Sequence, residues 1–455
     1  MALNIIILAA GKGTRMRSST AKVLHKVAGQ SLIEHVINSA YALRPDHVLV
    51  VHGSESDQIK KQCSNYPVEW VLQTEQGGTG HAVQQALPYI NAADDSHVLI
   101  LYADVPLLQI DTLEALRLQL NSADLALLSM HLEEPQGYGR IVRSSDTSVE
   151  GIVEEGDASE IIKQIKEVNS GIMAARLATL RECLCLINND NAQSEYYLTD
   201  CVAAAKQLNK TVIAQSCQAD EAQGVNSRAQ LAAAELIYQQ RRRLSLLDSG
   251  VSMTDPATVY IEGQVYIEAD VSIGPCVELI GPLTIATGTR ISSHSVISNS
   301  AIAKNTSIHS FCHIEDAKIG EGCELGPYAR IRPQTKLSAG VKIGNFVETK
   351  KSEIGKGSKV NHLSYIGDAK IGEQTNIGAG TVCCNYDGAN KHQTIIGDNV
   401  FIGSDTQLVA PVEIEDGATV AAGSTITKKV PTQSLALSRA KQTIISNWQR
   451  PKKRT

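Results

Sequence analysis

The sequence predicts two folds in series: an α/β unit with a mostly parallel sheet up to about residue 225, then a three-sided coil of short parallel strands. Three observations carry this. In the C-terminal half, aliphatic residues recur at every sixth position over long stretches. In the N-terminal half, apolar strand-like runs alternate with helix-like stretches. At 455 residues the chain also exceeds what one hydrophobic core usually holds, so two or three domains are expected.

In the first half, Asn4 to Ala10 reads as a buried strand, Leu32 to Leu43 as a helix, and His47 to Val51, Val68 to Gln73 and Ser96 to Tyr102 as further strands. Such a sheet presents ligands at the carboxyl ends of its strands. Ser227 to Leu247 is rich in Ala, Leu and Arg and free of Gly and Pro, a helix by propensity. The expected division is residues 1–226 for the sheet unit, 227–250 for a helical linker, and 251–455 for the coil with a C-terminal tail.

The six-residue beat runs through Val265, Val271, Val277 and Leu283, through Ile319, Leu325, Ile331, Leu337 and Ile343, and through Ile396, Ile402, Leu408, Ile414, Val420 and Ile426. Neither an α-helix nor an amphipathic strand has this period. Three six-residue faces close one triangular turn, each aliphatic residue points into a narrow prism, and only a stack of turns buries them. Between Ile377 and Ile396 the spacing is 19, not a multiple of six, so a loop must leave the scaffold there. Loops on rigid scaffolds commonly carry function.

A net charge of −6 and a pI near 6.1 argue against nucleic acid as a partner, although the tail Arg450-Pro451-Lys452-Lys453-Arg454 is basic. No apolar run reaches the ~18 residues of a membrane span, and Met1-Ala2-Leu3-Asn4 lacks the start of a secretory signal; no membrane association and a cytoplasmic location are expected. Ten cysteines without a zinc spacing suggest reduced thiols. Aromatic residues make up 4%, as a thin aliphatic prism requires.

The first strand runs into Gly11-Lys12-Gly13-Thr14-Arg15-Met16, where glycines let backbone N–H groups approach phosphate oxygens and Lys12, Arg15 and Lys22 add cations. This is not a Walker loop, and it lacks the third glycine of the dinucleotide fingerprint. Asp104 closes an apolar strand, where a carboxylate suits Mg²⁺, a hard cation that uses few protein groups; the alternative is a cap for the helical segment beginning at Ile110. His362 lies between hexads in Asn361-His362-Leu363-Ser364-Tyr365, either as a hydrogen-bonded surface group or as a general base. Arg332 and Lys350 stand in nearby coils, as solvated side chains or as a phosphate pocket.

The string Leu8-Ala9-Ala10-Gly11-Lys12-Gly13-Thr14-Arg15-Met16 with Lys22 resembles the signature of sugar-nucleotide pyrophosphorylases. Matches continue through Gln73 with Gly77-Gly78-Thr79-Gly80-His81-Ala82, Tyr102-Ala103-Asp104-Val105-Pro106, Gly137-Tyr138-Gly139-Arg140, Ile152-Val153-Glu154, Asn169-Ser170-Gly171 and Gly224-Val225-Asn226. The hexads resemble those of hexapeptide-repeat acyltransferases, whose fold is a left-handed parallel β-helix. Together with Ala329-Arg330-Ile331-Arg332-Pro333, Gly344-Asn345-Phe346-Val347-Glu348, Asn376-Ile377-Gly378-Ala379-Gly380, Cys384-Asn385-Tyr386-Asp387-Gly388 and Gly403-Ser404-Asp405, the whole chain resembles the bifunctional GlmU family, thinning around residues 175–190 and 280–315.

The resemblance implies a Rossmann-like nucleotidyltransferase domain followed by the left-handed β-helix, and an enzyme of UDP-N-acetylglucosamine synthesis, which feeds peptidoglycan and lipopolysaccharide. It implies acetylation of glucosamine-1-phosphate by acetyl-CoA, then uridylyl transfer from UTP to N-acetylglucosamine-1-phosphate. In the first unit it implies catalytic roles for Arg15 and Lys22, Mg²⁺ shared by Asp104 and Asn226, and substrate contacts at Leu8, Ala9, Ala10, Gly11, Lys22, Gln73, Gly78, Thr79, Tyr102, Ala103, Asp104, Gly139, Glu154, Asn169 and Asn226. In the second it implies His362 as general base, Arg332, Lys350, Tyr365 and Asn376 as sugar-phosphate binders, Ala379, Asn385, Tyr386, Ser404, Ala422 and Arg439 beside acetyl-CoA, and a homotrimer.

Two departures stand out: members often have Pro where this chain has Ala21, and many have Gly where it has Ala103. Two other readings stay open from the sequence. The prism could serve only assembly behind an active pyrophosphorylase, or the chain could resemble the guanine-exchange subunits of translation initiation, which are not enzymes.

Overall fold

The computed structural model describes residues 1–11, 14–54, 56–144 and 148–453, with the backbone alone at Thr14. Lys12, Gly13 and Arg454, named above, lie outside the described residues. The chain forms two compact units, Met1–Tyr238 and Gln239–Thr455.

The first unit is built on a mixed sheet. Its strands are β1 (Leu3–Leu8), β2 (His47–His52), β3 (Glu69–Leu72), β4 (His97–Tyr102), β5 (Leu125–His131), β6 (Arg140–Arg143), β7 (Val149–Val153), β8 (Glu167–Arg176) and β9 (Val212–Cys217), in spatial order β9-β5-β8-β4-β1-β2-β3. β1 pairs in parallel with β2 and β4, while β8 runs antiparallel between β4 and β5 and carries the β6–β7 hairpin. Every residue of β1 is buried, because both faces of the sheet are covered. Ile5 and Ile7 face Ile33, Val36 and Ile37 of α1 (Leu32–Ala42), whereas Ile6 and Leu8 face Ala82, Val83 and Ala86 of α2 (Thr79–Ala86). α1 starts at a capping box, with the Ser31 backbone and hydroxyl both donating to the Glu34 carboxylate. Helix α3 (Arg228–Asp248) contains the boundary between the units.

The second unit is a left-handed β-helix whose short strands form three parallel sheets of 11, 10 and 9 strands. Ile273 stacks on Ile291 and Ile291 on Ile308, steps of 18 and 17 residues that close one coil each. The hexad row points inward as expected: Ile396, Ile402, Leu408, Ile414, Val420 and Ile426 are all buried. A second inward position lies two residues before each of these and is smaller: Thr394, Val400, Thr406, Val412, Ala418 and Ser424. Two of the hydroxyls among them are tied back locally, Thr406 donating to the Gly403 carbonyl at 2.6 Å and Ser424 to the Ala421 carbonyl at 2.6 Å. Glycine after the hexad residue answers to close approach: a Cβ at Gly378 would lie 2.5 Å from the Ser404 nitrogen, and one at Gly344 would run into the Asn361 carbonyl oxygen. Where the spacing breaks, Ile371 stacks on Ile396, a step of 25, and the surplus leaves as a small loop closed by an antiparallel bridge between Tyr386 and Lys391.

Candidate active sites

At the carboxyl ends of β1 and β4 lies a cavity of about 600 Å³, lined by Leu8, Ala9, Ala10, Gly11, Lys22, Gln73, Gly78, Thr79, Tyr102 and Asp104. Lys22 is its electrostatic centre. Its ammonium pairs with Asp104 Oδ2 and donates to Asn226 Oδ1 at 3.0 Å, so two oxygen donors from distant parts of the chain converge on one cation. The Val225 N–H donates to the Asp104 carbonyl at 2.8 Å and fixes the segment that carries Asn226. Asp104 caps no helix, since the segment from Ile110 is preceded by Gln109 at its N-cap.

The cavity wall depends on glycines at a few places. Gly78 has φ +104, and a Cβ there would lie 2.6 Å from the Tyr196 carbonyl oxygen. The Gln73 amide, almost wholly buried, donates to the Gly78 carbonyl at 3.1 Å and meets His81 Nδ1 at 3.1 Å. A Cβ at Gly171 would lie 2.8 Å from the Tyr102 ring. Burial pushes the Tyr102 phenol well up, against a hydrogen bond with Thr79, so it stays a neutral polar group.

Not every sequence-predicted residue lines this cavity. Ala103 is fully buried, its N–H donating to the Leu8 carbonyl at 3.0 Å. Arg15 is exposed, near enough for its charge to act on Tyr138. Gly139 packs against Glu154, a Cβ there falling 3.2 Å from either carboxylate oxygen. Glu154 lines a neighbouring depression of about 420 Å³ with Asp157 and Asp200; burial and then these two charges raise its pKa, against a 3.0 Å hydrogen bond from Thr199. Asn169 is buried, and its Oδ1 has no hydrogen-bond partner among the described residues.

Sequence reasoning missed Gln76 and Glu195, which also line the cavity. Gln76 Nε2 donates to the Ala10 carbonyl at 2.7 Å. The segment at Tyr196 is held by 2.8 Å bonds with Gly80 and Gly77, and no local pattern announces it.

In the β-helix, Asn345 stands in register with His362. Backbone bonds then link His362 to Gly380, Ala379 to Asp405 and Ser404 to Gly423, so Asn345, His362, Ala379, Ser404 and Ala422 follow one another along one edge. The Arg439 stem lies 3.7 Å from where a Gly423 Cβ would be, at the end of this line. The line is open to solvent, with small side chains below an imidazole. His362 Nδ1 is 2.8 Å from Asn345 Oδ1.

Arg332 and Lys350 occupy a different edge, in consecutive coils. Tyr365 lies on the face between the two edges, its hydroxyl over Gly367, the register partner of Lys350. Asn376 is on the adjacent face, three residues before Ala379. Arg332 donates to Glu348 at 2.6 Å. The ammonium of Lys391, from the extruded loop, faces that of Lys350; with burial and the Arg332 charge it holds the Lys350 pKa below its usual range. Three cations thus converge, a place for a phosphate, and Lys391 had no role in the sequence reading. Asn385 donates to Asp368 at 2.5 Å, which anchors the loop, and Tyr386 on it is exposed.

Among known proteins, residues 5–168 match the MobA-like NTP transferase domain, and residues 393–428 match the bacterial transferase hexapeptide (six repeats). The bifunctional protein GlmU of Marinobacter nauticus is 47% identical over 452 residues, covering 99% of each chain. With both domains matched and the likeness running end to end, the chain belongs to the GlmU family of bifunctional enzymes, a nucleotidyltransferase joined to a hexapeptide-repeat acetyltransferase.

Proposed function

We propose that His362 is the base of the acetyl transfer and that the cavity around Lys22 is the uridylyl-transfer site. One observation supports the first assignment most: the imidazole heads the same edge as Ala379, Ser404 and Ala422, where a pantetheine arm fits against small side chains. The phosphate of glucosamine-1-phosphate pairs with Arg332, Lys350 and Lys391. Its 2-amine gives a proton to His362 Nε2 and attacks the thioester carbonyl, and the proton passes to the departing CoA thiolate. Tyr365 and Asn376 orient the sugar, while Asn385, Tyr386 and Arg439 hold the rest of acetyl-CoA.

In the first unit a phosphate oxygen of N-acetylglucosamine-1-phosphate attacks the α-phosphorus of UTP, and pyrophosphate leaves. Gln73 and Gly78 meet the base, Gly139, Glu154 and Asn169 meet the sugar, and Arg15 and Lys22 offset charge on the phosphates. Asp104 and Asn226 fit Mg²⁺: one carboxylate and one amide oxygen already converge on a cation, and this ion takes few protein ligands. When bound it supplies positive charge beside the phosphate oxygens. Lys22 must then release Asp104 and turn to the nucleotide.

The same geometry supports a homotrimer. Tyr365 and Asn376 flank the His362 edge on different faces, and that open edge leaves room for a neighbouring copy to close the site. Phe311, Tyr328 and Phe346 form an exposed stack on successive coils, with ring centroids 4.9 and 5.2 Å apart, as contact surface for that copy. UTP and acetyl-CoA as substrates argue for the cytoplasm; no described helix is long and apolar enough to cross a membrane.

The test measures thiol release from acetyl-CoA with glucosamine-1-phosphate, and pyrophosphate release with each of four nucleoside triphosphates, on the purified protein. Thiol release and a preference for UTP are expected. Failure of thiol release would leave the prism an assembly device, and failure of pyrophosphate release would remove the nucleotide assignment.

A further inference from the structure

We propose that Asn345 is a positioning residue for acetyl transfer, holding the His362 ring in the Nδ1–H tautomer so that the Nε2 lone pair faces the amine. This rests on the assignment of His362 as base. The observation behind it is the 2.8 Å contact between Asn345 Oδ1 and His362 Nδ1, made between register partners on adjacent coils.

An amide oxygen only accepts hydrogen bonds, so the hydrogen in this contact belongs to Nδ1. In the neutral ring Nε2 is then the free base. When the ring takes up the substrate proton both nitrogens carry hydrogen, and the bond to Asn345 persists unchanged. The amide is uncharged, so it orients the ring without competing for the proton, unlike the carboxylate that orients histidine in many hydrolases.

The backbone keeps the two residues in place. The Leu363 N–H donates to the Asn345 carbonyl at 3.0 Å, and Gly344 beside Asn345 allows the Asn361 strand to approach closely. Both residues after the pair, Phe346 at φ 55 and Leu363 at φ 50, adopt left-handed backbone. The chain turns away at that point in both coils and leaves the ring on the edge. His362 has an exposed side chain, with no core packing to fix its rotation, so a hydrogen bond is what sets its orientation.

The test uses full-length protein labelled with ring-¹⁵N histidine, the His362 signals being assigned among twelve histidines by their loss in His362→Gln. In the unsubstituted protein, at a pH where the ring is neutral, Nδ1 should be of the protonated type and Nε2 of the lone-pair type. Asn345→Leu, of similar size but without an acceptor, should give a mixture of tautomers. It should also lower kcat for acetyl transfer by about ten- to hundredfold. KM for both substrates should stay within about twofold, the pattern of a lost transition-state contribution. Asn345→Asp, which restores an acceptor, should recover the tautomer and part of the turnover, since its carboxylate competes for the proton. The unchanged KM values for acetyl transfer show that the β-helix of the Asn345 variants folds, and unchanged uridylyl transfer shows that the first unit does.

A lone-pair Nδ1 in the unsubstituted protein, or full turnover in Asn345→Leu, overturns the proposal. Full acetyl transfer in His362→Gln would instead overturn the assignment of the base, an outcome separable because the tautomer is read without activity.

Discussion

The two units handle charge in opposite ways. In the sheet unit the reactive groups are sunk in a cavity and neutralised in advance: the side chains of Lys22 and Asp104 are 12% and 16% exposed and paired with each other. In the prism they lie on open edges, and Lys350 and Lys391 repel each other. On the proposed assignments the first site would have to break an internal ion pair to accept metal and nucleotide, whereas the second would gain on binding an anion, because the anion relieves a repulsion already present. A buried pair organises a site for a multiply charged substrate; an exposed excess of one sign attracts a small one.

Single substitutions should separate the halves. The largest effect is expected from His362→Ala, which should lower acetyl-transfer turnover by about 10²–10⁴-fold with uridylyl transfer intact. Assaying both half-reactions on one preparation checks this, and loss of both would make the histidine structural. Next, Asp104→Asn should raise the magnesium concentration needed for uridylyl transfer by about tenfold, the loss of one charged oxygen ligand, without touching acetyl transfer. An unchanged magnesium titration would count against Asp104 as the ligand.

Lys391→Ala tests the repulsive cluster. It should raise KM for glucosamine-1-phosphate by about tenfold, the loss of one charge-assisted contact. Its effect on stability should have the opposite sign. The folded-state pKa of Lys350 is lowered, so the folded chain binds fewer protons than the unfolded one between that value and the ordinary lysine pKa. The repulsion therefore weakens stability below this window, and stability recovers as pH rises through it. Inorganic phosphate should recover it at neutral pH, and the substitution should remove both dependences. Thermal unfolding against pH and phosphate concentration reads this directly, and a phosphate effect that survives in Lys391→Ala would place the anion elsewhere.

How much of this was legible in the sequence follows from how each contact is encoded. The prism declared itself through the hexad row, and β1 to β4 through apolar runs, because burial on both faces needs continuous aliphatic sequence. The second inward row escaped notice, since Thr394, Thr406 and Ser424 carry hydroxyls that do not read as core, and those of Thr406 and Ser424 are satisfied by backbone carbonyls three residues back. The stretch from β5 to β9 carried no reading either, its antiparallel crossing of β8 having no period of its own. At the sites, glycines and lone charged residues beside strand ends were visible, and the family resemblance supplied their roles. What it left out are pairings across coils or loops: Lys391 with Lys350, the Tyr196 segment with Gly78 and Gly80, Asn345 with His362. Counting coil lengths of 17 and 18 would have aligned the last pair, since Asn345 and His362 are one such step apart.

The smallest effect is expected at the departure from the family pattern just before Lys22. Ala21 has φ −55 and ψ 138, within the range of a proline ring, and it precedes the short 3₁₀ turn Lys22–Leu24 as a proline commonly does. The backbone already holds the shape that a proline would impose, so the missing ring affects mainly the unfolded chain. Ala21→Pro should therefore stabilise the sheet unit by about 0.4–1 kcal/mol, through the lower entropy of the unfolded state. Uridylyl-transfer kcat and KM should not move, because the Lys22 ammonium keeps its partners Asp104 and Asn226. Urea unfolding of both proteins beside their uridylyl-transfer kinetics checks the two halves of the statement. A large change in KM for UTP with unaltered stability would mean that this loop must flex for Lys22 to leave Asp104, and that the buried ion pair, rather than nucleotide contact, limits the first site.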